Sequence, residues 1–355
     1  MVRVNPAAIV PFVERACQSI GASEAVAAVV ATSLVEADRR GHASHGVFRL
    51  PQYVERAEAG RIDPEAAPTV SRLSETVAHV NGNDAFGQYV GRAAIEALVE
   101  GAVGGIGAVG VGDVSHLGRI SEWAERTTAE DLLFVAFVSG SVASVAPPRS
   151  ADRCFSTNPV AIGVPTFDAL PFPIVVDIAT SQVAHGKVRT RATDGESLPE
   201  GWAIGDDGAP LTDAAAFERG DGALLPLGGS IAGHKGFGLC IAAEIFAAIC
   251  GIDSTIDDGS KTGNAATFCA IDPTVFLSVD EIEHRIRSVT DTVRTAGYLD
   301  VPHETGVLPG ELEYLATLEA DEEGIDIGDG VAAELRTLAS QLGLQSMLPE
   351  PLADS

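Results

Sequence analysis

Lysine is nearly missing from this sequence. Of 355 residues, 23 are basic, and only Lys187, Lys235 and Lys261 are lysines. Against them stand 50 acidic residues, for a formal net charge of −27. A surface this acidic repels phosphate backbones, which argues against nucleic acid as a partner. Acidic excess with so little lysine points to a halophilic protein. In a salt-saturated cytoplasm, dense screening removes the self-repulsion that would loosen such a chain in dilute buffer. Cysteine is sparse as well. Cys17, Cys154, Cys240, Cys250 and Cys269 are odd in number, scattered, and never spaced C-x-x-C. That pattern excludes a disulfide frame or a zinc knuckle and fits reduced thiols in a cytoplasmic protein. No apolar run approaches the roughly 18 residues of a membrane helix. The opening M-V-R-V-N-P lacks the charged-then-apolar layout of a signal peptide. No internal repeat or low-complexity linker is visible. A membrane, secreted or disordered protein is therefore not expected.

Hydrophobic residues make up 46% of the chain, enough for a sizeable core. The length suggests two to three domains at about 150 residues each. The N-terminal stretch reads helical. Ser23 can cap, Glu24 suits a helix N-terminus, and Val26, Val29, Val30 and Leu34 form a stripe that Gly41 stops. A second helix is expected over 50–58, before Gly60. From about residue 68 the texture alternates. Strands are expected at 76–80, 108–111, 132–138, 160–164 and 174–178, with helices at 90–100 and 119–128. Residues 238–250 read as an apolar helix buried on most sides. Residues 252–266 read as a loop, and 268–271 and 275–277 as further strands. Near the end, Val331, Leu335, Leu338 and Leu342 make a helical stripe before Gly343. Helical ends around an α/β middle imply that the two ends pack together.

Three motifs invite a quick function and weigh against it on context. Gly105, Gly107 and Gly110 spell G-x-G-x-x-G, but a helix precedes and a strand follows, the reverse of a dinucleotide-binding turn. A glycine-rich turn is the plainer reading. Asp38, His42 and His45 have spacing that could share a helix face and hold a metal, but Gly41 breaks that helix, so no metal is expected. Ser44 beside His45 suggests a hydrolase, yet sequence neighbours rarely face each other for proton transfer. No G-x-S-x-G elbow exists in the chain.

Residues 40–53, R-G-H-A-S-H-G-V-F-R-L-P-Q-Y, resemble the signature of the type-2 malate/L-lactate dehydrogenase family, non-Rossmann enzymes that use NAD(P). Further blocks follow in the same order as in that family: S-H-L-G-R at 115–119, T-N-P at 157–159, D-I-A-T-S at 177–181 with Gly186 and Lys187, L-P-L-G-G at 225–229, K-G-F-G-L at 235–239, A-I-D-P at 270–273, and P-G-E at 309–311. Residues 139–144, S-G-S-V-A-S, depart from the family's N-S-P-P run, and Pro148, Arg149 and Ser150 replace its W-G-G.

The resemblance implies an α/β fold with three parts. A helical, dimerising part comes from 1–68 plus 305–355, a smaller α/β part from 69–125 plus 255–300, and a mixed-sheet cofactor part from 126–254. It implies a cytoplasmic homodimer that uses NAD or NADP on a small 2-hydroxy or 2-oxo acid, most simply malate or lactate. Within the family, a cyclic imine acid, a ureidoglycolate or a sulfolactate-type substrate is the alternative; outside it, a binding protein that has lost turnover. Oxidising a 2-hydroxy acid needs a base for the hydroxyl proton and a clamp that aligns C2. Histidine suits the first task. His45 and His116 both stand in matching motifs, with His45 preferred for proton transfer and His116 for orienting substrate. Arg49 can grip a carboxylate with two parallel bonds, Ser44 beside His45 is a further substrate-binding candidate, and Arg119 is expected to take a second carboxylate if the substrate has one. By resemblance, Asp177, Ile178, Ala179, His234, Lys235, Pro309, Gly310, Glu311 and Ser139 contact the cofactor.

Overall fold

The computed structural model describes residues 2–252, 263–297 and 306–352. The chain starts with a two-residue strand, β1 (Arg3–Val4), and a helix, α1 (Pro6–Ser19), capped by the Asn5 side chain. The expected Ser23 cap is present: its hydroxyl accepts from Val26 N–H at 3.3 Å and opens α2 (Glu24–Arg39). Next comes α3 (Leu50–Glu58), with Pro51 in its first turn, where a missing N–H costs nothing. The alternating region gives β2 (Thr69–Arg72), β3 (Val77–Asn81), α4 (Gly87–Ala102), β4 (Ile106–Val114), α5 (Ile120–Thr128) and β5 (Leu133–Gly140). Then follow β6 (Val160–Val164), β7 (Ile174–Ile178), α6 (His185–Asp194), β8 (Ala203–Ile204), α7 (Ala214–Arg219) and β9 (Ala223–Leu224). The last third holds α8 (Gly229–Gly251), β10 (Asn264–Ile271), α9 (Val279–Arg294), α10 (Glu311–Glu323), β11 (Ile325–Asp326) and α11 (Asp329–Leu342).

Seven strands form one mixed sheet in the order β2-β3-β4-β10-β5-β6-β7. Only β3 and β4 run parallel, joined through α4; the other pairings are antiparallel. A late strand, β10, is thus inserted between β4 and β5, which no doubly wound dinucleotide fold has. Two glycines of the G-x-G-x-x-G run, Gly107 and Gly110, serve packing on the two faces of β4. A Cβ on Gly107 would stand 2.9 Å from the Leu98 carbonyl of α4, and one on Gly110 would stand 1.7 Å from the Cys250 carbonyl of α8.

Three hydrophobic clusters organise the molecule. The first draws Ile9, Phe12, Leu34 and Leu50 together with Leu335 and Leu338, so both chain ends share a core. The β1–β11 pairing fastens them. The second lies around the large sheet, with Trp123, Phe134 and Phe268 buried. The third is small and joins Val145, Val188, Phe217 and Leu224. The large sheet takes strands from residues 69–125, from 126–254 and from the β10 segment alike.

Three expectations are corrected. Residues 275–277 are not a strand. Asp272 accepts from Thr274 N–H at 2.9 Å and starts a 3-10 turn, Pro273–Val275, and a Ser278/Glu281 capping box then opens α9. The apolar helix expected at 238–250 is longer, with 23 residues, and is not buried on most sides. Ile249 is 71% exposed, and Leu239, Ile245 and Phe246 are exposed too. By length and composition α8 would be apolar enough to cross a membrane. Its inner side, with Cys240, Ala243 and Ala247 buried, packs on the sheet. Of the loop expected over 252–266, residues 253–262 lie outside the described residues, and 264–266 are not loop but the start of β10, paired with β4 and β5.

Candidate active site

Helix α2 ends at Arg39, and the chain turns through two short 3-10 turns, Ala43–His45 and Val47–Arg49, before α3 begins. The Asp38 carboxylate ties this turn down by accepting from Val47 N–H at 2.8 Å. Gly46 leaves room for it, since a Cβ there would stand 1.9 Å from Asp38 Oδ1. Burial pushes the Asp38 carboxyl up to about 7. The residues weighed as a metal trio part company: Asp38 holds Val47, His42 bonds Glu313 at 3.2 Å, and His45 faces another way.

His45 Nδ1 lies 3.1 Å from the Ser44 hydroxyl. Its ring stacks on His116, with centroids 5.5 Å apart and planes 18° apart. His116 comes from the loop after β4. There Ser115 accepts from Gly87 N–H and donates to the Ala85 carbonyl, and Leu117 N–H donates to Asn264 at 2.9 Å. Two residues distant in sequence are thus fixed face to face, both half-buried. Burial, and next the Arg49 charge, lowers His45 to about 3; the same two causes hold His116 well below the usual histidine range. Both rings are neutral at neutral pH.

Arg49 lies beside them. Its Nε donates to the Ser44 carbonyl at 2.6 Å and Nη1 to Gln52 at 2.8 Å, which aims the fork. Nη2 has no hydrogen-bond partner among the described residues. It faces Gly186 at the start of α6, where a Cβ would stand 3.6 Å away. Arg119 is placed differently. It is 3% exposed, and Nη1 and Nη2 hold Glu125 in a fork at 2.7 and 2.8 Å. Its guanidinium is committed inside the protein and is not presented to a second substrate carboxylate. Sequence reasoning passed over Tyr53 and Gln88, which back His116 through Tyr53 Oη, 2.8 Å from His116 Nδ1. Tyr53 sits four residues after Arg49, on the same side of α3, and that spacing was the available signal. Gln88 carried none.

The sequence profile of the malate/L-lactate dehydrogenase family matches residues 4–336. The chain belongs to that family. A malate/(S)-sulfolactate dehydrogenase of Methanothermus fervidus is 30% identical over 335 residues, covering 92% of this chain and 94% of that protein. A Delta(1)-pyrroline-2-carboxylate/Delta(1)-piperideine-2-carboxylate reductase of Pseudomonas putida is 33% identical over 351 residues, covering 97% and 98%. The crystal structure of malate dehydrogenase from Entamoeba histolytica superposes with a TM-score of 0.90 at 26% identity, covering 98% of this chain and 99% of that one.

The residues expected to hold the cofactor of this dehydrogenase family fall in four places, three of them around β7 and one on β5. Asp177 and Ile178 end the strand and Ala179 follows it. Asp177 accepts from Ser121 N–H at 2.8 Å, burial raises its carboxyl, and Ile178 is 39% exposed. His234 and Lys235 are exposed in the first turns of α8, a helix tied to the β7 segment by Leu227 N–H on the Thr180 carbonyl at 2.9 Å. Pro309 and Gly310 lie at the other end of β7. The Pro309 carbonyl accepts from Val175 N–H at 3.2 Å, and a Cβ on Gly310 would meet the Pro173 carbonyl at 2.6 Å. The Glu311 carboxylate is engaged by Arg294 at 2.5 Å and by Leu308 N–H at 2.9 Å, so it organises the start of α10. Ser139, near the end of β5, is 6% exposed, and its carbonyl accepts from Asn264 at 3.0 Å. Two of these residues have the chemistry a dinucleotide needs. Lys235 carries an ammonium without an ion pair among the described residues, and an exposed apolar edge lies at Ile178.

Proposed function

We propose that this protein transfers a hydride between NAD or NADP and a small 2-hydroxy or 2-oxo acid of the malate or lactate type. The observation that carries the reading is the stacked, neutral His45–His116 pair beside an arginine with one free nitrogen. Arg49 Nη2 takes the substrate carboxylate and fixes the direction of C2. His45, tied at Nδ1 to Ser44, receives the hydroxyl proton at Nε2 during oxidation and returns it during reduction. His116 directs the substrate oxygen. A bound nicotinamide supplies the hydride acceptor or donor. Asp177, Ile178, Ala179, His234, Lys235, Pro309, Gly310 and Ser139 would hold it, with Glu311 acting through the α10 turn. Because Arg119 is spent on Glu125, it gives no reason to prefer malate over lactate.

The Pseudomonas putida relative gives a second reading, in which the same Arg49 grip presents a cyclic imine acid and a histidine supplies the proton. Ureidoglycolate- and sulfolactate-type substrates keep the same clamp. We also propose a cytoplasmic homodimer with no nucleic-acid or membrane partner. Net charge of −27 supports the absence of nucleic acid, and the exposed apolar residues of α8 support self-association.

The test is absorbance of reduced nicotinamide in molar potassium chloride, with malate, lactate and their 2-oxo partners, each with both cofactors. Turnover of one pair is the expected result. Silence with all of them, but turnover of an imine acid, would replace the first reading with the second. A folded protein that binds no nicotinamide would end both.

A further inference from the structure

We propose that Gln88 and Tyr53 are positioning residues that hold His116 in its Nε2–H tautomer, so that His116 meets the substrate as a hydrogen-bond donor and His45 alone moves the proton. The proposal rests on the reading that both histidines face the substrate.

The argument is a count of hydrogens. Gln88 is fully buried and Tyr53 is 2% exposed. Gln88 Nε2 donates to Tyr53 Oη at 2.8 Å, and Tyr53 Oη lies 2.8 Å from His116 Nδ1. A phenol has a single hydrogen. Gln88 gives one to the Tyr53 oxygen, and His116 Nδ1 is the one other polar atom that bonds it among the described residues, so Tyr53 gives its own hydrogen to His116 rather than leave a buried O–H unpaired. Nδ1 is then an acceptor without a hydrogen, and the neutral ring carries its proton on Nε2.

The opposite arrangement needs the Gln88 amide turned over. Tyr53 would then donate to Gln88 Oε1, accept from His116 Nδ1–H, and leave Nε2 as a base. Burial decides between the two. As placed, the groups left over are Gln88 Oε1, a buried oxygen without a partner among the described residues, and one of the two Nε2 hydrogens. Turned over, the group left over would be an NH2 with two hydrogens in the same dry place. Orphaned buried N–H groups are rarer than under-used carbonyl oxygens, because each unpaired hydrogen forfeits its hydration.

His45 has no such constraint. Its Nδ1 faces the Ser44 hydroxyl, which rotates and can donate or accept. His45 can therefore release and regain a proton at Nε2 while Ser44 adjusts. The two stacked rings differ in what stands behind them, a fixed relay for one and a free rotor for the other.

The test is 15N spectroscopy of the full-length protein with labelled histidine at neutral pH, with His116 assigned by comparison with His116→Gln. The expected result is a protonated Nε2 and a bare Nδ1 on His116. Tyr53→Phe, which keeps the ring, should give a mixture of tautomers and lower kcat about tenfold, with the cofactor KM unchanged. Gln88→Leu should shift the tautomer ratio the same way and serves if Tyr53→Phe folds poorly. A protonated Nδ1 in the parent protein would overturn the proposal, as would an unchanged tautomer ratio or unchanged kcat in a folded Tyr53→Phe. The spectra report the tautomer whether or not the acids tested are turned over, so an error in the proposed reaction would show separately.

Discussion

At the residue scale, the candidate site is set by what lies behind each side chain. Arg49 and Arg119 carry the same guanidinium, yet of the two only Arg49 has an outer nitrogen without a partner among the described residues, because Glu125 takes both outer nitrogens of Arg119 and its Nε is buried. His45 shows how burial sets charge. The unfolded chain takes up this proton near pH 6.5, while the folded one holds it off until about 3. Between those values the unfolded state binds more protons, so His45 makes the fold less stable as pH falls through that window. Two outcomes follow for this residue. His45→Ala should cut turnover roughly 10²- to 10⁴-fold with nicotinamide binding intact, read by steady-state rates and cofactor fluorescence. A histidine NMR titration from pH 8 to 5 should show no inflection for His45; one near 6.5 would mean that the ring is solvated.

At the element scale, the turn between α2 and α3 works as a jig for Ser44, His45 and Arg49. It is held by one carboxylate, Asp38, and by the lack of a side chain on Gly46. Gly46→Ala would force a methyl group into Asp38. The expected cost is about 1–3 kcal/mol of stability, seen as a lower denaturation midpoint, together with a loss of turnover larger than that from a surface alanine. Unchanged stability would show that the turn relaxes without Asp38. Elements with strong local signals were legible in the sequence. The helix over 50–58 and the strands over 160–164 and 174–178 match the observed bounds of α3, β6 and β7. The capping box that starts α9 was overlooked, and the apolar V-F-L before it suggested a strand.

At the scale of the whole molecule, charge dominates. Fifty acids against 23 bases leave the fold under self-repulsion that bulk salt can screen. In molar potassium chloride the screening length falls to about 3 Å, against about 10 Å at 0.1 M. Melting temperature and activity are therefore expected to rise together from dilute buffer to molar salt. Equal values at both ends of a calorimetric and kinetic salt series would show that the acidic surface is neutral in effect. The same scale explains why α8 misled. Its composition is apolar nearly all round, so periodicity could not tell an outer face from an inner one. Its packing on the sheet leaves Ile249 and Phe246 outside.

The sequence by itself determined the family and the mixed α/β class, and it offered the two histidines and Arg49 as candidates. Short blocks of fixed spacing carry those, and local turns and caps deliver them. Only the tertiary structure decided that His45 and His116 stack, that Arg119 is locked to Glu125, and that Tyr53 and Gln88 stand behind His116. Apart from Arg119 and Glu125, which are six residues apart, these are contacts between segments far apart in the chain, such as residues 45 and 116 or 53 and 88. Their partners are chosen by which helix buries against which strand, and no local pattern of residues records that choice.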